Sequence, residues 1–487
     1  MKKFFIYTFL YAFGIFLSSV FYSTEYGNAF FLVLTAMGLL YNIAIIFDTN
    51  VLARKWKFLS AGFVGVFTCF MIFNGGIIPL LYVKELNFLK ANAFQSYLEY
   101  GYLFKYTVVT AIANIAFWIG YAVKLGDYLF AFYYEGLGYK KLLQGRIGIL
   151  FPKVLIVLGI GLNLVLFYNG AYGRSIVEPL EVSGFVRYLV NFSTYIEKIA
   201  LIGYFILALH YFRSGKHTIW FYTTLIIQIL FALLSGSRGG IIFLFIVTAL
   251  PYYYVNRKFT KKLYLLGALT VFVAFTIASE IKVFTQNLNR NVSVSEYVDS
   301  YMEFRESSNE ELNQRIYSEI YYRFMRRLNT VAQGSIAVEY KDEHGVDSDD
   351  PDFFSDLVFS PVFAVIPRSM VLPPFPSWGE WFRLKILKQS DSYSSSTTFG
   401  MIAYFYLTAN WPFVLIGLFF YGVVLRFCNN LLLLGTDSSF LIYLAVLSAV
   451  GYISANVPTS YVSFFRFAIF LPVFFFIITN LFNRIRL

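Results

Sequence analysis

The sequence predicts an all-α, polytopic membrane protein. Hydrophobic residues make up 58% of its 487 residues and charged residues only 14%, and the mean hydropathy is +0.63. The apolar residues come in runs of about 20, which is the length a helix needs to cross the hydrocarbon core of a bilayer. Soluble domains do not carry this much apolar surface.

Hydropathy predicts about twelve transmembrane helices. The first apolar run follows Lys2 and Lys3 but has no clear small-residue cleavage site, so we expect a retained span and not a signal peptide. We expect spans one to nine within 1–283, one large polar loop containing helices at 284–398, and spans ten to twelve within 399–487. The spans are predicted near 4–22, 28–47, 58–82, 107–124, 147–169, 185–211, 218–234, 240–255, 263–283, 399–425, 438–455 and 461–482.

The distribution of charge predicts the orientation of these spans. If both termini are cytoplasmic, every loop on the cytoplasmic side is basic, as the positive-inside rule requires. The loop 284–398 then lies outside; it carries 17 acidic and 11 basic residues, so its net charge is near −6, whereas the rest of the chain is near +17. The overall charge of +11 therefore reflects topology. Because the basic residues are scattered over several short loops, they give no support to nucleic-acid binding.

The stretch SGSRGG at 235–240 lies between predicted spans seven and eight, at the outer membrane surface. It places Arg238, Gly239 and Gly240 at the start of span eight, where the backbone N–H groups of a helix start attract anions. An arginine, two glycines and a helix start together suit a phosphate group. The alternative is that Arg238 reaches toward lipid headgroups while the glycines form the turn.

A second group of arginines is predicted on a helix of the outer loop, at 311–340. This helix carries four arginines but only one carboxylate among them, Glu319, which cannot neutralise them all. The excess guanidinium groups next to apolar residues suit a phosphate that arrives from the membrane surface. In the alternative interpretation the face is a solvated ladder of ion pairs. Residues at four-residue steps along this face are Arg315, Glu319, Arg323 and Arg327, with Arg326 about 100° away from Arg327.

The end of the outer loop carries a further arginine. Residues 367–376 contain several prolines and cannot form a regular helix, so Arg368 is held in a stiff turn that presents it at the membrane surface. The apolar run from Phe399 then re-enters the membrane.

These features occur in an order that resembles the bacterial O-antigen polymerases of the Wzy type, the oligosaccharide repeat unit polymerases. The features are SGSRGG between two late spans, one large external loop, IPRSM followed by a proline-rich stretch, and SSSTTFG leading into AYFYLTANWPFVLIGLFFYG; they cover roughly 230–425. The resemblance implies a metal-independent glycosyltransferase fold of the O-antigen polymerase and ligase kind, without a cofactor. It also implies an inner-membrane enzyme that transfers one undecaprenyl-pyrophosphate-linked oligosaccharide to another at the periplasmic face, beside a chain-length regulator and a flippase.

The same resemblance implies roles for individual residues. Arg238, Arg323, Arg327 and Arg368 would seat the pyrophosphate, whose developing charge they stabilise. Arg174 and Arg326 are further candidates, together with Gly239 and Gly240. Tyr322 and Tyr393 could stack on sugar rings, although interfacial anchoring explains them equally well. Candidates for the general base are Glu319, His344 and Asp391, and their spacing selects none of them.

Other functions remain open at this stage. An O-antigen ligase would use the same donor with a lipid A core acceptor, whereas a flippase or transporter would show pseudo-symmetric repeats and charges along a path through the bilayer. We find no internal repeat and no nucleotide-binding loop. The acidic run Asp347, Asp349, Asp350 and Asp352 would suit a metal ion or a solvated loop, and Pro351 interrupts the pattern of a calcium loop.

Overall fold

The computed structural model is helical and contains no strand within the residues that it describes. The chain divides into two compact units, one of Met1–Arg146 with Arg323–Ile477 and the other of Ile147–Tyr322 with Ile478–Leu487. The described residues are 2–22, 27–47, 102–143, 148–168, 193–234, 238–258, 260–275, 302–303, 330–345, 353–363, 366, 381–386, 400–451, 462–473 and 476–477.

The helices follow the predicted spans closely where those spans are described. Four helical stretches are long and apolar enough to cross a membrane: Lys3–Val20, Tyr102–Ala122, Leu150–Tyr168 and Met401–Leu434. Predicted span 58–82 lies outside the described residues, and the count of twelve spans stays a prediction. In chain order the helices are α1 (Lys2–Val20), α2 (Gly27–Phe47), α3 (Tyr102–Ala122), α4 (Leu125–Ala131), α5 (Lys140–Leu143), α6 (Leu150–Tyr168), α7 (Ser193–Ser214), α8 (Thr218–Leu234), α9 (Arg238–Asn256), α10 (Lys261–Phe275), α11 (Thr330–His344), α12 (Phe353–Val358), α13 (Ser360–Phe363), α14 (Met401–Leu434), α15 (Asp437–Gly451) and α16 (Val462–Val473).

Glycines set the close packing of α3 on α14, which forms the centre of the first unit. A Cβ at Gly120 would lie 2.0 Å from the backbone oxygen of Phe419, and a Cβ at Gly422 would lie 2.1 Å from that of Phe117. Small residues at a helix contact let two backbones approach, which is the usual way in which membrane helices gain packing energy. The backbones of α3 and α14 therefore touch on both sides of the contact.

The helix α14 differs from the predicted span 399–425. It breaks at Ala409 and Asn410, which have non-helical backbone angles, and then runs on to Leu434. Pro412 follows the break, since its ring cannot continue a preceding helix and fits the first turn of a new one. The part before the break, residues 401–407, is buried throughout, whereas the part after it exposes apolar side chains such as Trp411. The unbroken helix therefore begins about ten residues after the predicted start of this span.

In the second unit, glycines likewise allow the close packing of α6 on α7. A Cβ at Gly159 would lie 2.5 Å from the backbone nitrogen of Ala200, and a Cβ at Gly203 would lie 2.8 Å from the backbone oxygen of Pro152. Helix α7 also contacts α9, where the Tyr204 hydroxyl lies 2.9 Å from Thr248 Oγ1. These contacts place α9 beside α7 within this unit.

Candidate functional site

The predicted anion site begins at the first residue of a helix. Helix α8 ends at Leu234 and α9 starts at Arg238, followed by Gly239 and Gly240. The convergence of the predicted arginines stays a prediction, because the other predicted site residues, except His344, lie outside the described residues. These are Arg174, Glu319, Tyr322, Arg323, Arg326, Arg327, Arg368, Asp391 and Tyr393.

Helix α11, in the predicted outer loop, is buried on all sides along its middle. Residues 333–338 are six consecutive buried positions. Gly334 allows this packing, since a Cβ there would lie 2.0 Å from Cζ of the buried Tyr106 ring on α3. The sequence predicted a helix over 311–340; α11 extends it to His344, and 311–329 lie outside the described residues. The last turn of α11 is consequently fixed beside the first turn of α3.

A polar cluster of five residues forms where these two turns meet. Lys105 Nζ donates to Asp342 Oδ2 at 2.5 Å, and the Tyr406 hydroxyl donates to Asp342 Oδ1 at 2.8 Å. The Tyr102 hydroxyl donates a weak hydrogen bond to Glu343 at 3.4 Å. Three separate segments, α3, α11 and the first part of α14, thus meet in the polar cluster, which consists of Tyr102, Lys105, Asp342, Glu343 and Tyr406.

Within the polar cluster, Asp342 is suited to a structural role. Each of its two carboxylate oxygens accepts a hydrogen bond, one of them from a cation. Its charge is therefore compensated within the protein. The pair is half exposed, because the Lys105 side chain retains 48% of its accessible surface and Asp342 retains 21%. The ion pair therefore anchors α11 to α3.

Three rings lie in contact at the same end of α11. The Tyr340 ring stacks on the His344 imidazole with centroids 5.0 Å apart, and it meets the buried Trp381 ring edge-on at 6.2 Å. His344 Nδ1 lies 3.3 Å from the backbone oxygen of Tyr340, and the side chain is exposed. The sequence placed His344 in an acidic loop, whereas it is the last residue of a helix. The stacked Tyr340 ring thus holds the exposed imidazole at the end of α11.

No protein-family model, curated protein or solved structure matches the chain. The resemblance to the O-antigen polymerases therefore depends on the order of the motifs in this sequence. The roles that it implies enter the function as a proposal.

A second ion pair joins α4 to α14, just after the opposite end of α3. Arg426 donates through Nε and Nη2 to the two oxygens of Asp127, at 2.8 and 2.6 Å, and Asn430 donates to Asp127 Oδ1 at 2.8 Å. Partial burial would raise the pKa of Asp127, but these hydrogen bonds outweigh it, so the pKa lies below its ordinary value. The predicted span 399–425 stops just before Arg426, whereas α14 runs on to Leu434 and includes this residue.

A metal site is a separate question. Among the residues that the structure describes, no three His, Cys, Asp or Glu side chains lie close enough together to hold a metal ion. The acidic run 347–352 is outside those residues, so the two interpretations of that run both stay open.

Proposed function

We propose that the protein is a bacterial inner-membrane glycosyltransferase, a polymerase that joins oligosaccharide repeat units linked through pyrophosphate to undecaprenol. Two kinds of observation support the proposal. The described chain is helical, and four of its helices are long and apolar enough to cross a membrane. The order of the arginine-bearing motifs resembles that of the Wzy-type polymerases. In this proposal the reaction takes place at the periplasmic face.

The observation that carries the proposal is the start of α9 at Arg238. The first turn of a helix has backbone N–H groups without intrahelical partners, and the helix dipole makes this end positive. Arg238 is followed there by Gly239 and Gly240, and glycines keep side chains away from the backbone donors. In this proposal the junction of the two apolar helices α8 and α9 lies at the periplasmic membrane surface, where a lipid-linked pyrophosphate presents its charge.

The chemistry needs a cationic site of this kind. An acceptor hydroxyl on the non-reducing end of one lipid-linked unit attacks C1 of the other glycan. The bond from C1 to the phosphate oxygen breaks, and its electron pair leaves with undecaprenyl pyrophosphate, while a base takes the hydroxyl proton. Arginines that are already in place stabilise the charge that grows on the leaving group. We assign this role to Arg238, Arg323, Arg327 and Arg368, with Arg174 and Arg326 beside them.

The exposed end of α11 supports an acceptor site. It presents the imidazole of His344 and the carboxylate of Glu343 next to an aromatic pair. Aromatic rings with neighbouring polar groups suit a sugar, which has apolar faces and a rim of hydroxyls. Of the three predicted bases, we favour His344, because the stacked Tyr340 ring fixes its position.

The proposal is tested by replacing Arg238 with alanine and with lysine. The readout is the ladder of surface polysaccharide lengths in a strain that lacks the chromosomal copy. We expect Arg238→Ala to reduce the ladder to single repeat units at normal protein levels, and Arg238→Lys to recover it only in part, since lysine lacks the fork geometry. Arg257 follows the opposite end of the same helix, and Arg257→Ala serves as the matched control with an unchanged ladder.

Two results would contradict the polymerase proposal. A ladder of normal length in Arg238→Ala would mean that this arginine only contacts lipid headgroups. Loss of all surface glycan, single units included, would favour an O-antigen ligase or a flippase.

A further inference from the structure

In the segment formed by α12 and α13, polar side chains are buried and apolar side chains are exposed. Asp356 is 1% exposed and Ser360 is 0% exposed, although both carry polar side chains. The large side chains that face outward are all apolar; they are Phe354 (55%), Val358 (52%), Phe359 (39%), Val362 (39%) and Ile366 (41%). A helix at a water-exposed surface shows the opposite arrangement, with its polar face outward.

Helical hydrogen bonds join α12 to α13. Phe359 N donates to Ser355 O at 2.9 Å, Phe363 N to Phe359 O at 3.0 Å, and Ile366 N to Val362 O at 2.9 Å. At about 1.5 Å per residue, the helical path from residue 354 to residue 363 rises about 14 Å. This length enters a hydrocarbon core of about 30 Å but does not cross it.

The contacts of this segment tie it to two apolar helices. At one end, the Phe354 ring lies 5.9 Å from that of Phe413, just after the break in α14. At the other end, Arg466 Nη2, within α16, donates to the backbone oxygen of Phe363 at 3.1 Å. The segment therefore runs beside a helix long and apolar enough to span a membrane.

We propose that residues 353–363 form a re-entrant segment, whose apolar face lies against lipid acyl chains. The exposed surface of α14 beyond Phe413 is itself apolar, with Ile416 50% and Phe420 49% exposed. The exposed faces of α14 and of this segment therefore both suit contact with lipid. A strip of five side chains is also much smaller than the 20 to 30 residues per partner that a stable protein interface uses.

Arg466 explains how unpaired backbone carbonyls at the Phe363 end of the segment are tolerated in a bilayer. The last carbonyls of a helix have no intrahelical partner, and within a bilayer each of them needs one from the protein. Arg466 supplies a donor to the Phe363 carbonyl. Arg466, a charged residue within an apolar helix, thus has the Phe363 carbonyl as a hydrogen-bond partner. A carbonyl in water would not need such a donor from the protein.

The inference is tested by spin labels at single cysteines, independently of the proposed glycan chemistry. Cys69 and Cys428 are first replaced by alanine, and a cysteine is then placed at Val358 or at Val362 in protein reconstituted into phospholipid nanodiscs. Ile416→Cys on α14 is the lipid-exposed control. Lys216→Cys, exposed between α7 and α8, is the water-exposed control. Two test positions keep the experiment decisive if one label disturbs folding.

We expect the labels at 358 and 362 to match that at 416, with high accessibility to oxygen and low accessibility to a water-soluble nickel chelate. A nickel accessibility equal to that at 216 would overturn the proposal, since the segment would then lie in water. Low accessibility to both reagents would also overturn it, and spin–spin broadening in that case would identify a second copy of the chain as the occupant.

Discussion

Lys105 and Asp342 are 237 residues apart in the sequence, and their side chains form an ion pair with Nζ and Oδ2 2.5 Å apart. The pair joins the start of α3 to the last turn of α11, and the Tyr406 hydroxyl contacts the same carboxylate. Since the Lys105 side chain is half exposed, solvent screening limits what the ion pair contributes to stability.

The first prediction concerns this pair. We expect Asp342→Asn and Lys105→Met each to lower the free energy of unfolding, and the double variant to show a coupling of about 1 kcal/mol. The measurement is thermal unfolding of the four proteins in detergent, with Lys216→Met as a control for loss of an exposed lysine. Additive effects would show that the two side chains do not stabilise α11 together.

The second prediction concerns glycine packing between α3 and α14. We expect Gly120→Ala to lower stability by about 1–3 kcal/mol, because its Cβ would lie 2.0 Å from a backbone oxygen that cannot rotate away. Gly161, on α6, is the matched control, since a Cβ there meets nothing within 4 Å. Gly161→Ala should leave stability unchanged or raise it slightly. Equal melting temperatures for the two variants would refute close backbone contact at Gly120.

Local sequence pattern was sufficient for many helix bounds. Helix α8 is predicted and found at 218–234, and α9 is predicted at 240–255 and found at Arg238–Asn256. In both cases a polar or glycine-containing segment ends an apolar run, and this signal is contained in neighbouring residues.

Long-range pairing explains where that pattern fails. Arg426 was predicted to lie beyond the end of a span, but Asp127, 299 residues away, compensates its charge within α14. No local window contains that partner. The break near Asn410 did have a local signal, because Pro412 follows it within two residues.

One part of the candidate site could likewise be predicted from local sequence, and the other could not. The helix start at Arg238 could be predicted from SGSRGG alone. The polar cluster could not, because Lys105, Asp342 and Tyr406 come from three distant segments. They meet only where Gly334 lets α11 lie against Tyr106.

The third prediction concerns the break in α14. Asn410 has φ 62° and ψ −166°, a region that glycine occupies and other residues reach only with strain. Its side chain is exposed, so its removal costs no packing. We expect Asn410→Gly to raise the free energy of unfolding by about 1 kcal/mol, and Asn410→Ala to lower it. A melting temperature that falls in Asn410→Gly would show that the asparagine side chain stabilises the break.

The fourth prediction is a pH dependence at Asp127. Hydrogen bonds from Arg426 and Asn430 hold the pKa of Asp127 below the ordinary 3.8 in the folded protein. The stabilisation is therefore fully present above about pH 4 and is lost as the pH falls through the lower, folded pKa. We expect Asp127→Asn to be less stable than the parent at pH 7, by an amount that shrinks below pH 4. A difference in melting temperature that stays constant down to pH 3 would contradict this linkage.

The last prediction concerns His344 under the proposed function. If His344 takes the proton of the acceptor hydroxyl, His344→Gln should slow polymerisation by about 10²- to 10⁴-fold, the usual contribution of a general base. The side chain is exposed at the end of α11, so insertion and melting temperature should not change. Glu343→Gln, at the adjacent exposed position, tests whether the neighbouring carboxylate takes the proton instead. A short ladder in that variant, with a normal ladder in His344→Gln, would move the role of base from the imidazole to the carboxylate.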